Sequence, residues 1–332
     1  MNKLPHISFL LLCFLYLPVS AQSEGYEAER GELRLMWYNV ENLFHPSDDS
    51  LEGDDDFTPE GVRAWTYKRY RQKLADLARV IVAAGRWQPP AVVGLCEVEG
   101  PRVLEDLISH PILAPYEYAY IHNDSPDHRG MDVACIFRPE FFSPLSWHFF
   151  PAVQAEGFDK TREILCLQGV WGRRDSLSLI FVHFISRYRG AGATASYRRE
   201  QAVQLVGLID SLDRRSPEHL VVAAGDFNDS PEGWSLEPLS GLFMLPSGEL
   251  SSYKYRGAWS GIDFFLLSGG YERYRIRASV FNLPLLLVPD LTHGGIKPKR
   301  CYEGYRYAGG YSDHLPVLLD ISRSPFPWDF ER

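Results

Sequence analysis

The stretch VVAAGDFNDSP, Val221–Pro231, places five small or apolar residues directly before a cluster of acids and an amide. An apolar run of this kind that ends in polar, turn-forming residues predicts a buried strand that opens into a loop. Asp226 and Asn228 alternate toward the same face of that strand. A carboxylate and an amide at the mouth of a sheet could hold a metal ion or a water, or could only cap a turn, and this stretch alone leaves both interpretations open.

Residues 1–21 have the three-part pattern of a secretory signal peptide. One positive charge, Lys3, precedes the apolar run ISFLLLCFLYLPV, and Val19–Ala21 offers small residues for cleavage. The run is too short for a comfortable membrane span, and no other stretch approaches the about twenty apolar residues that a span needs. We therefore predict that 1–21 is a removable signal peptide and that 22–332 is a single exported domain without stable membrane insertion.

The chain of 332 residues is acidic, with a formal net charge of −9. Affinity for polyanions comes from Lys and Arg, so the chain is not a general nucleic-acid binder, although a local basic cleft stays open. The cysteines beyond the signal peptide lack the paired spacing of metal sites. They could form disulfides or remain buried free thiols, and the sequence does not choose between the two. The residues are Cys96, Cys135, Cys166 and Cys301.

Apolar runs rich in β-forming residues predict buried strands along the whole chain. Some of them alternate apolar and polar residues and others are solidly apolar, which together indicate sheets covered on one face by helices. The runs are 33–40, 91–98, 131–138, 164–171, 177–184, 219–227, 262–268, 274–281 and 314–321.

Two stretches have helical spacing, 66–85 and 195–215. Each predicted helix leads through a short connection into a buried strand, so the chain divides into two similar halves of strand, helix and strand. The first helix is expected to bury Tyr70, Leu74, Leu77 and Ile81, and the second Val203, Val206 and Ile209.

Several predicted strands carry, at or near one end, a residue that can bind a metal ion or a proton. Buried carboxylates and imidazoles are unfavourable unless they are paired or metal-bound, so their repetition favours one common site. The residues are Asn39, Glu97, His183, Asp226 and the pair Asp313-His314.

Taken singly, these residues have simpler interpretations. Glu97 could be paired with an arginine, Asn39 could form a turn, and His183 could be a hydrogen-bonded core histidine. The segment ISRYRG after His183 adds two arginines and favours a local anion site there. Asp313-His314 could form only a turn, yet a histidine with an adjacent carboxylate is what general base catalysis requires.

Seven motifs within residues 33–321 resemble those of the endonuclease/exonuclease/phosphatase superfamily, the DNase I-like metal-dependent phosphoesterases. They occur in the order and approximate spacing of that superfamily, although Val182 replaces the usual Asn of one motif. The motifs are WYNVENLF, GLCEVEG, RGMDVACIFRP, VHFISRYRG, GDFNDSP, GIDFFLLS and GYSDHLPV. The resemblance implies an α/β fold, a four-layer α/β/β/α sandwich of two packed mixed β-sheets flanked by helices.

The resemblance also implies a divalent cation, Mg²⁺ or Mn²⁺, that assists the hydrolysis of a phosphate ester. Glu97 would be the principal metal ligand, with Asn39 and Asp313 beside it. Few, hard oxygen ligands are what Mg²⁺ prefers, because it keeps several waters and binds the substrate phosphate.

The same resemblance implies the catalytic roles. His314 would be the general base or would stabilise the pentacovalent transition state, and Asp263 would orient it. Asp226 is the other candidate for activating water, with Asn228 beside it on the phosphate. His183 would bind a phosphate oxygen or assist the leaving group.

An anionic phosphate repels a nucleophile, and Arg129 and Arg187 are candidates for neutralising its charge. The segment 289–314 is basic and tyrosine-rich, and it would be either a substrate wall that stacks bases or a loop packed over the sandwich. We therefore predict a nuclease-like phosphodiesterase that acts on DNA or RNA. A phosphatase or a phospholipid or sphingomyelin headgroup hydrolase is the alternative, followed by a catalytically silent binding module of the same fold.

Overall fold

The computed structural model describes residues 32–47, 55–86, 88–153, 160–172, 175–187, 190–215, 219–245 and 251–323. The predicted signal peptide, 1–21, lies outside them. The strands of the described residues, numbered β1–β18 in chain order, form two six-stranded sheets and three two-stranded hairpins. Among the described residues, every helix is too short or too polar to span a bilayer.

The first sheet is mixed. Its strands are β1 (Glu32–Leu43), β2 (Val92–Val98), β3 (Ala119–Ile121), β4 (Asp132–Phe137), β13 (Tyr274–Val280) and β18 (Val317–Arg323). Their order across the sheet is β13-β18-β1-β2-β4-β3. β1 and β2 pair in parallel, so residues near their carboxyl ends lie at one edge of the sheet.

The second sheet is also mixed. Its strands are β5 (Phe142–Phe150), β6 (Ile164–Trp171), β7 (Asp175–His183), β8 (Leu220–Asp226), β9 (Phe243–Leu245) and β12 (Asp263–Ser268), in the order β5-β6-β7-β8-β12-β9. β7 runs parallel to β8, and β12 runs antiparallel to it. The last residues of β7 and β8 and the first residue of β12 therefore lie side by side.

The two sheets pack face to face around an apolar core. This core includes Cys96, Cys135 and Cys301, whereas Cys166 lies in a second apolar core on the other face of the second sheet. All four are buried free thiols. Trp37 of β1 stacks on Phe181 of β7 with 6.0 Å between the ring centroids. Gly94 of β2 lies against this pair, and a Cβ there would come within 2.4 Å of the Phe181 ring. A side chain at this position would therefore push the sheets apart.

Three α-helices of the described residues cover the sheets: α1 (Tyr67–Ala83), α2 (Pro101–Ile108) and α3 (Ala191–Arg215). Thr66 caps α1 by accepting a hydrogen bond from the backbone N–H of Arg69 at 3.4 Å. α1 packs on the first sheet and α3 on the second. The layers are therefore α/β/β/α, and the predicted sandwich is confirmed. The predicted face of α1 is also buried: Tyr70, Leu74, Leu77 and Ile81.

The buried face of α3 differs from the predicted one. Val203 is 56% exposed, and the helix turns Ala202, Leu205 and Ile209 toward the sheet. The sequence contains two adjacent apolar stripes on this helix, and periodicity alone does not choose between them. The prediction for Val203 is wrong, whereas Ile209 is buried as predicted and Val206 is partly buried against the same core.

Three hairpins follow β9 along the chain: β10 (Tyr253–Tyr255) with β11 (Ala258–Ser260), β14 (Leu287–Pro289) with β15 (Ile296–Pro298), and β16 (Tyr302–Glu303) with β17 (Arg306–Tyr307). The last of these belongs to the tyrosine-rich segment 289–314. Tyr302 packs against Trp65 with 6.0 Å between ring centroids, and the Arg69 guanidinium lies 4.5 Å from the Tyr307 ring. Tyr302 and Tyr307 therefore belong to a loop packed over the sandwich, which is the second interpretation of this segment.

Candidate active site

The second sheet brings three of the predicted residues together at one edge. The register of β7, β8 and β12 sets His183 beside Asp226 and Asp226 beside Asp263. All three side chains are buried. A cavity of about 610 Å³ opens at this edge, and His183 and Asp226 line it.

The first sheet adds Asn39 from β1 and Glu97 from β2. Asn39 Nδ2 donates to Glu97 Oε1 at 3.1 Å and to Asp226 Oδ2 at 3.0 Å. One amide therefore links a carboxylate of the first sheet to a carboxylate of the second. The site lies where the edges of the two sheets meet.

Glu97 has an unusual backbone conformation. Its φ is +61°, in the left-handed region that residues other than glycine rarely adopt. The pairing of β2 with β4 shifts register between Cys96 and Val98, which marks a bulge at Glu97. Such strain persists when the surroundings hold it, and here it places the Glu97 carboxylate on the wall of the cavity.

His314 and Asp263 form a buried pair, with His314 Nδ1 2.7 Å from Asp263 Oδ2. The same carboxylate accepts hydrogen bonds from Ser252 Oγ at 2.6 Å and from Trp37 Nε1 at 3.0 Å. These contacts fix the carboxylate, which in turn orients the imidazole. Burial lowers the pKa of His314, but the charges of Asp263 and Asp226 outweigh it and raise that pKa well above its usual value.

Asp226 lies between the two histidines. Its Oδ2 is 3.6 Å from His183 Nε2 and 3.8 Å from His314 Nε2. Its Oδ1 accepts a hydrogen bond from the backbone N–H of Asn228 at 2.9 Å. Burial, followed by the negative charge of Asp263, raises the pKa of Asp226 to about 7. A carboxyl group with this pKa exchanges a proton near neutral pH.

His183 has the opposite electrostatic surroundings. Two guanidinium nitrogens of the buried Arg162 lie 3.2 Å from its Nδ1 and 2.8 Å from its Nε2. A neutral imidazole has one acceptor nitrogen, so Arg162 donates to one of the two and opposes protonation of the ring. Arg162 is held by the buried Asp127 at 3.2 Å. Burial, followed by the charges of Arg162 and Arg129, lowers the pKa of His183 well below its usual value.

Arg162 is a site residue that was not predicted from the sequence, although it lines the cavity and contacts His183. The residue lies two positions before β6, so it has the same kind of strand-end position as the other site residues. A search of strand ends for cations, in addition to acids, amides and histidines, would have found it. Ser252 and the cavity-lining Tyr253 and Tyr255 were also missed, and no strand-end signal marks them.

The remaining predicted residues line the same cavity, and neighbours hold them: Asn228, Asp313, Arg129 and Arg187. Asn228 Nδ2 donates to the carbonyl of Phe184 at 3.0 Å, and Arg300 Nη2 donates to Asp313 Oδ2 at 2.7 Å. Arg129 Nε is 3.4 Å from Asp127, and Arg187 forms an ion pair with Asp229. The structure therefore brings all the predicted site residues together, although carboxylates already partner both arginines.

Glu97 and Asp313 have the chemistry of a divalent-cation site. Glu97 Oε1 accepts from Asn39, and Oε2 accepts from the backbone N–H of Asn42 at 3.0 Å, so each oxygen keeps a lone pair for a cation. Asn39 Oδ1 accepts from the backbone N–H of Glu41 at 3.0 Å. Asn39 therefore holds Glu97 in place through its amide nitrogen. Two carboxylates that leave room for waters and a phosphate fit Mg²⁺ or Mn²⁺.

Asp226, Asp263 and His314 form a second candidate cluster, because ligand atoms of the three lie within 4.8 Å of one another. Both oxygens of Asp263 already accept hydrogen bonds, from Trp37 on one side and from Ser252 and His314 on the other. The Asp263 side chain is 1% exposed and does not line the cavity, so it is not accessible to a cation bound there. The three residues have the composition of a proton-transfer group, and Glu97 is the candidate ligand for a cation.

The sequence matches the model of the Endonuclease/Exonuclease/phosphatase family over residues 34–323. The chain belongs to this family. Its members are phosphoesterase hydrolases, and the protein is accordingly a phosphoric ester hydrolase by family. A comparison with curated proteins found no match.

Solved structures with the same fold cover most of the chain. The human Nocturnin catalytic domain with bound sulfate has 14% identity and a TM-score of 0.55, covering 89% of this chain and 96% of that one. D. rerio TDP2 complexed with single strand DNA product has 14% identity and a TM-score of 0.56, covering 88% and 99%. The mannosyl-6-phosphatase Bt3783 of Bacteroides thetaiotaomicron VPI-5482 has 16% identity and a TM-score of 0.57, covering 87% and 99%. The TM-scores show that these proteins share the fold of this chain, and at identities this low the similarity shows the fold alone.

Proposed function

We propose that the protein is an exported, divalent-metal-dependent phosphodiesterase with a nuclease-like substrate. The observation that carries the proposal is the position of Asp226, which lies between two histidines and shares the Asn39 amide with Glu97. A proton acceptor, a protonated imidazole and a cation ligand are thus available around one cavity. The signal-peptide pattern at the N-terminus supports export.

Glu97 and Asp313 would hold Mg²⁺ or Mn²⁺, and Asn39 would keep Glu97 in position. When bound, the cation supplies positive charge that offsets the negative charge developing on the phosphoryl oxygens. The bulge at Glu97 supports this role, because it fixes the carboxylate before a substrate arrives.

In this proposal, Asp226 takes the proton of the attacking water, because its pKa of about 7 makes it a competent base near neutral pH. His314 has a raised pKa, so it is an imidazolium at that pH and stabilises the transition-state charge through Nε2. The surroundings of Asp226 and His314 give the two groups different pKa values, so one can accept a proton while the other carries a positive charge. The proposal therefore favours Asp226 over His314 as the base.

His183 remains neutral beside Arg162, so it binds a phosphate oxygen and does not protonate a leaving group. Arg162 and Arg129 supply positive charge on this side of the cavity. Fixed positive charges near a reacting phosphate stabilise its transition state because they need no reorganisation.

The lining of the cavity favours a nucleic-acid substrate, and its size supports a small phosphate ester as the second candidate. Tyr253 and Tyr255 line the cavity, and aromatic rings are what nucleic-acid bases stack on. The similar D. rerio TDP2 structure, which holds a single-strand DNA product, supports the same class. A small phosphate monoester is the second candidate, because the cavity of about 610 Å³ has the size of a small-molecule site and Bt3783 is a mannosyl-6-phosphatase.

The test uses the protein purified after expression of the full chain, with supercoiled plasmid and a single-stranded oligonucleotide as substrates. We expect cleavage in Mg²⁺ or Mn²⁺, none in EDTA, and a loss of at least about 10³-fold in Asp226→Ala. Asp210→Ala is the matched control, since Asp210 is an exposed carboxylate on α3. This variant should cleave at the unaltered rate.

Several results would revise the proposal. Cleavage in EDTA would contradict metal dependence, and cleavage by Asp226→Ala would contradict the role of Asp226. Metal-dependent release of phosphate from sugar phosphates, or of phosphorylcholine from sphingomyelin, without nucleic-acid cleavage would move the substrate to the alternative class. No activity in any of these assays, together with no Mg²⁺ binding by calorimetry, would favour a catalytically silent binding module.

A further inference from the structure

The β10–β11 hairpin forms one wall of the cavity. Tyr253 pairs with Ser260, and the chain reverses at Arg256 and Gly257, which have φ values of +48° and +87°. Two central residues with positive φ are typical of a type I′ turn, which fixes the register of a short hairpin. Tyr253 and Tyr255 alternate with Lys254 along β10, so both rings project from the same face.

The two faces of this hairpin have different neighbours. Tyr253 and Tyr255 line the cavity. On the opposite face, Lys254 Nζ lies 3.0 Å from Asp290 Oδ2, and both side chains are only 4% exposed. Lys254 also donates to the carbonyl of Gly294 at 2.7 Å. A buried ion pair therefore supports the tyrosine wall from behind and holds it rigid.

Tyr253 connects the wall to the reactive centre. Its ring centroid is 4.7 Å from that of His314, and a backbone bridge joins the two residues. Tyr255 lies two residues farther along the strand, at a distance of about 7 Å. One nucleotide spans a comparable distance, so a sugar beside Tyr253 connects a base at Tyr255 to a phosphate inside the cavity.

Tyr255 is the ring of the wall that a ligand can reach. It is 58% exposed, and the Arg256 guanidinium lies 5.2 Å from its centroid. An exposed ring at the mouth of a polar cavity, with a cation beside it, is suited to stacking on a planar heteroaromatic group.

We propose that Tyr255 is a specificity-determining residue that stacks an unpaired nucleobase next to the scissile phosphate, so the substrate is a single-stranded nucleic acid. The inference rests on the proposed phosphodiesterase function and names its substrate. The base lies on Tyr255, the sugar passes Tyr253, and the phosphate reaches the side of the cavity lined by Arg129 and Arg162.

The chemistry of the wall favours a base over a sugar. Specific binding of a sugar needs polar partners for its hydroxyl groups. The wall offers two tyrosine rings, Ile262 and one serine hydroxyl, that of Ser260, and the nearby carboxylates of Glu97 and Asp313 are the ligands of the proposed cation. Bases within a duplex stack on one another, so the base that Tyr255 receives is unpaired.

The test compares a single-stranded oligonucleotide with the same oligonucleotide lacking the base beside the cleaved phosphate. We expect the intact substrate to be cleaved with a kcat/KM about tenfold higher than the abasic one. Tyr255→Ala should raise KM for the intact substrate until its kcat/KM equals that for the abasic one, so the preference is lost. Tyr255→Phe should keep the preference, and Tyr305→Ala, which removes an exposed tyrosine at 69% exposure, should have no effect.

Equal cleavage of both substrates by the unaltered protein would overturn the inference, and so would an equal loss on both in Tyr255→Ala. Hydrolysis of a sugar phosphate without cleavage of either oligonucleotide would also overturn the inference. The protein would then still be a phosphoric ester hydrolase, but not a nuclease. Metal-dependent cleavage of the abasic substrate confirms the phosphodiesterase function independently of Tyr255. Failure of the inference is thus distinguishable from failure of the proposed function.

Discussion

Two buried histidines contact the same carboxylate, yet their surroundings favour opposite charges. His183 Nε2 and His314 Nε2 lie 3.6 and 3.8 Å from Asp226 Oδ2, and their side chains are 2% and 6% exposed. His183 contacts the guanidinium of Arg162, whereas His314 contacts the carboxylate of Asp263. The pKa of His183 is lowered by burial and Arg162, and the pKa of His314 is raised by Asp263 and Asp226 against the effect of burial.

The difference shows that burial alone does not decide the charge of a site histidine. Both rings lose solvent, which disfavours the imidazolium in both. The residue behind each ring then adds a positive or a negative charge. Asp226 therefore lies between a neutral and a charged imidazole, an arrangement suited to receiving a proton beside a fixed positive charge.

The largest expected effect separates the two histidines by activity. His314→Gln removes the imidazolium and should lower kcat by about 10³-fold, as for groups that act in the transition state. His183→Gln retains a hydrogen-bonding side chain beside Arg162 and should lower kcat by only about tenfold. Steady-state kinetics on the single-stranded oligonucleotide measures both.

The matched control is His148→Gln, because His148 is exposed on β5 and its substitution should leave kcat unchanged. Equal losses in His183→Gln and His314→Gln would contradict the proposed difference between the histidines. Circular dichroism of each variant separates loss of function from loss of the fold.

The next effect concerns Arg162 and the stability of the fold. Arg162→Met removes the cation that pairs with buried Asp127 at 3.2 Å, so the free energy of unfolding should fall by about 3 kcal/mol. The pKa of His183 should rise in the same variant, because the positive charge beside it is gone. Arg79→Met is the control, since the Arg79 side chain is 54% exposed and its ion pair contributes little. Equal unfolding curves for the two variants would contradict this assignment.

A smaller effect concerns the carboxylate between the histidines. The pKa of Asp226 is about 7 in the folded protein against 3.8 as its reference value, so the folded state keeps a proton that the unfolded chain has lost between these pH values. The free energy of unfolding therefore falls as the pH rises from about 4 to about 7. Asp226→Asn lacks this fall, and in EDTA at pH 8 it should be more stable than the unaltered protein by on the order of 2 kcal/mol.

At pH 3, Asp226→Asn and the unaltered protein should unfold nearly alike, because Asp226 is then mostly protonated in both states. Denaturant unfolding at the two pH values measures the difference, with Asp210→Asn as the exposed-carboxylate control. A difference that is the same at both pH values would show that folding does not raise the pKa of Asp226.

The fold was largely predictable because its strands are apolar and their ends are polar. Every run predicted as a strand contains a strand, whose ends lie within a few residues of the predicted ones. β5 was missed because its sequence FSPLSWHFF includes Pro144, which argues against a strand unless the strand lies at an edge, as β5 does. α2 was missed because eight residues are too few for a clear helical period.

The predicted site residues were found by their positions at strand ends, but contacts between distant residues decide their properties. Arg162 and His183 lie 21 residues apart, and the sequence does not indicate that they touch. Ser252 holds Asp263 from a segment without any strand-end signal. The sequence left 289–314 open as a substrate wall or a packed loop. In the structure Tyr302 and Tyr307 pack on other side chains, and the tyrosines that line the cavity lie on β10.

The central claim, that the two histidines beside Asp226 carry different charges, is tested most directly by nitrogen-15 NMR of the imidazoles in the metal-free protein. His183→Gln and His314→Gln assign the signals. At a pH of about 6.5, where a free histidine is half protonated, the account predicts a protonated His314 and a neutral His183. Two rings that titrate together near that pH, or a protonated His183 beside a neutral His314, would contradict it.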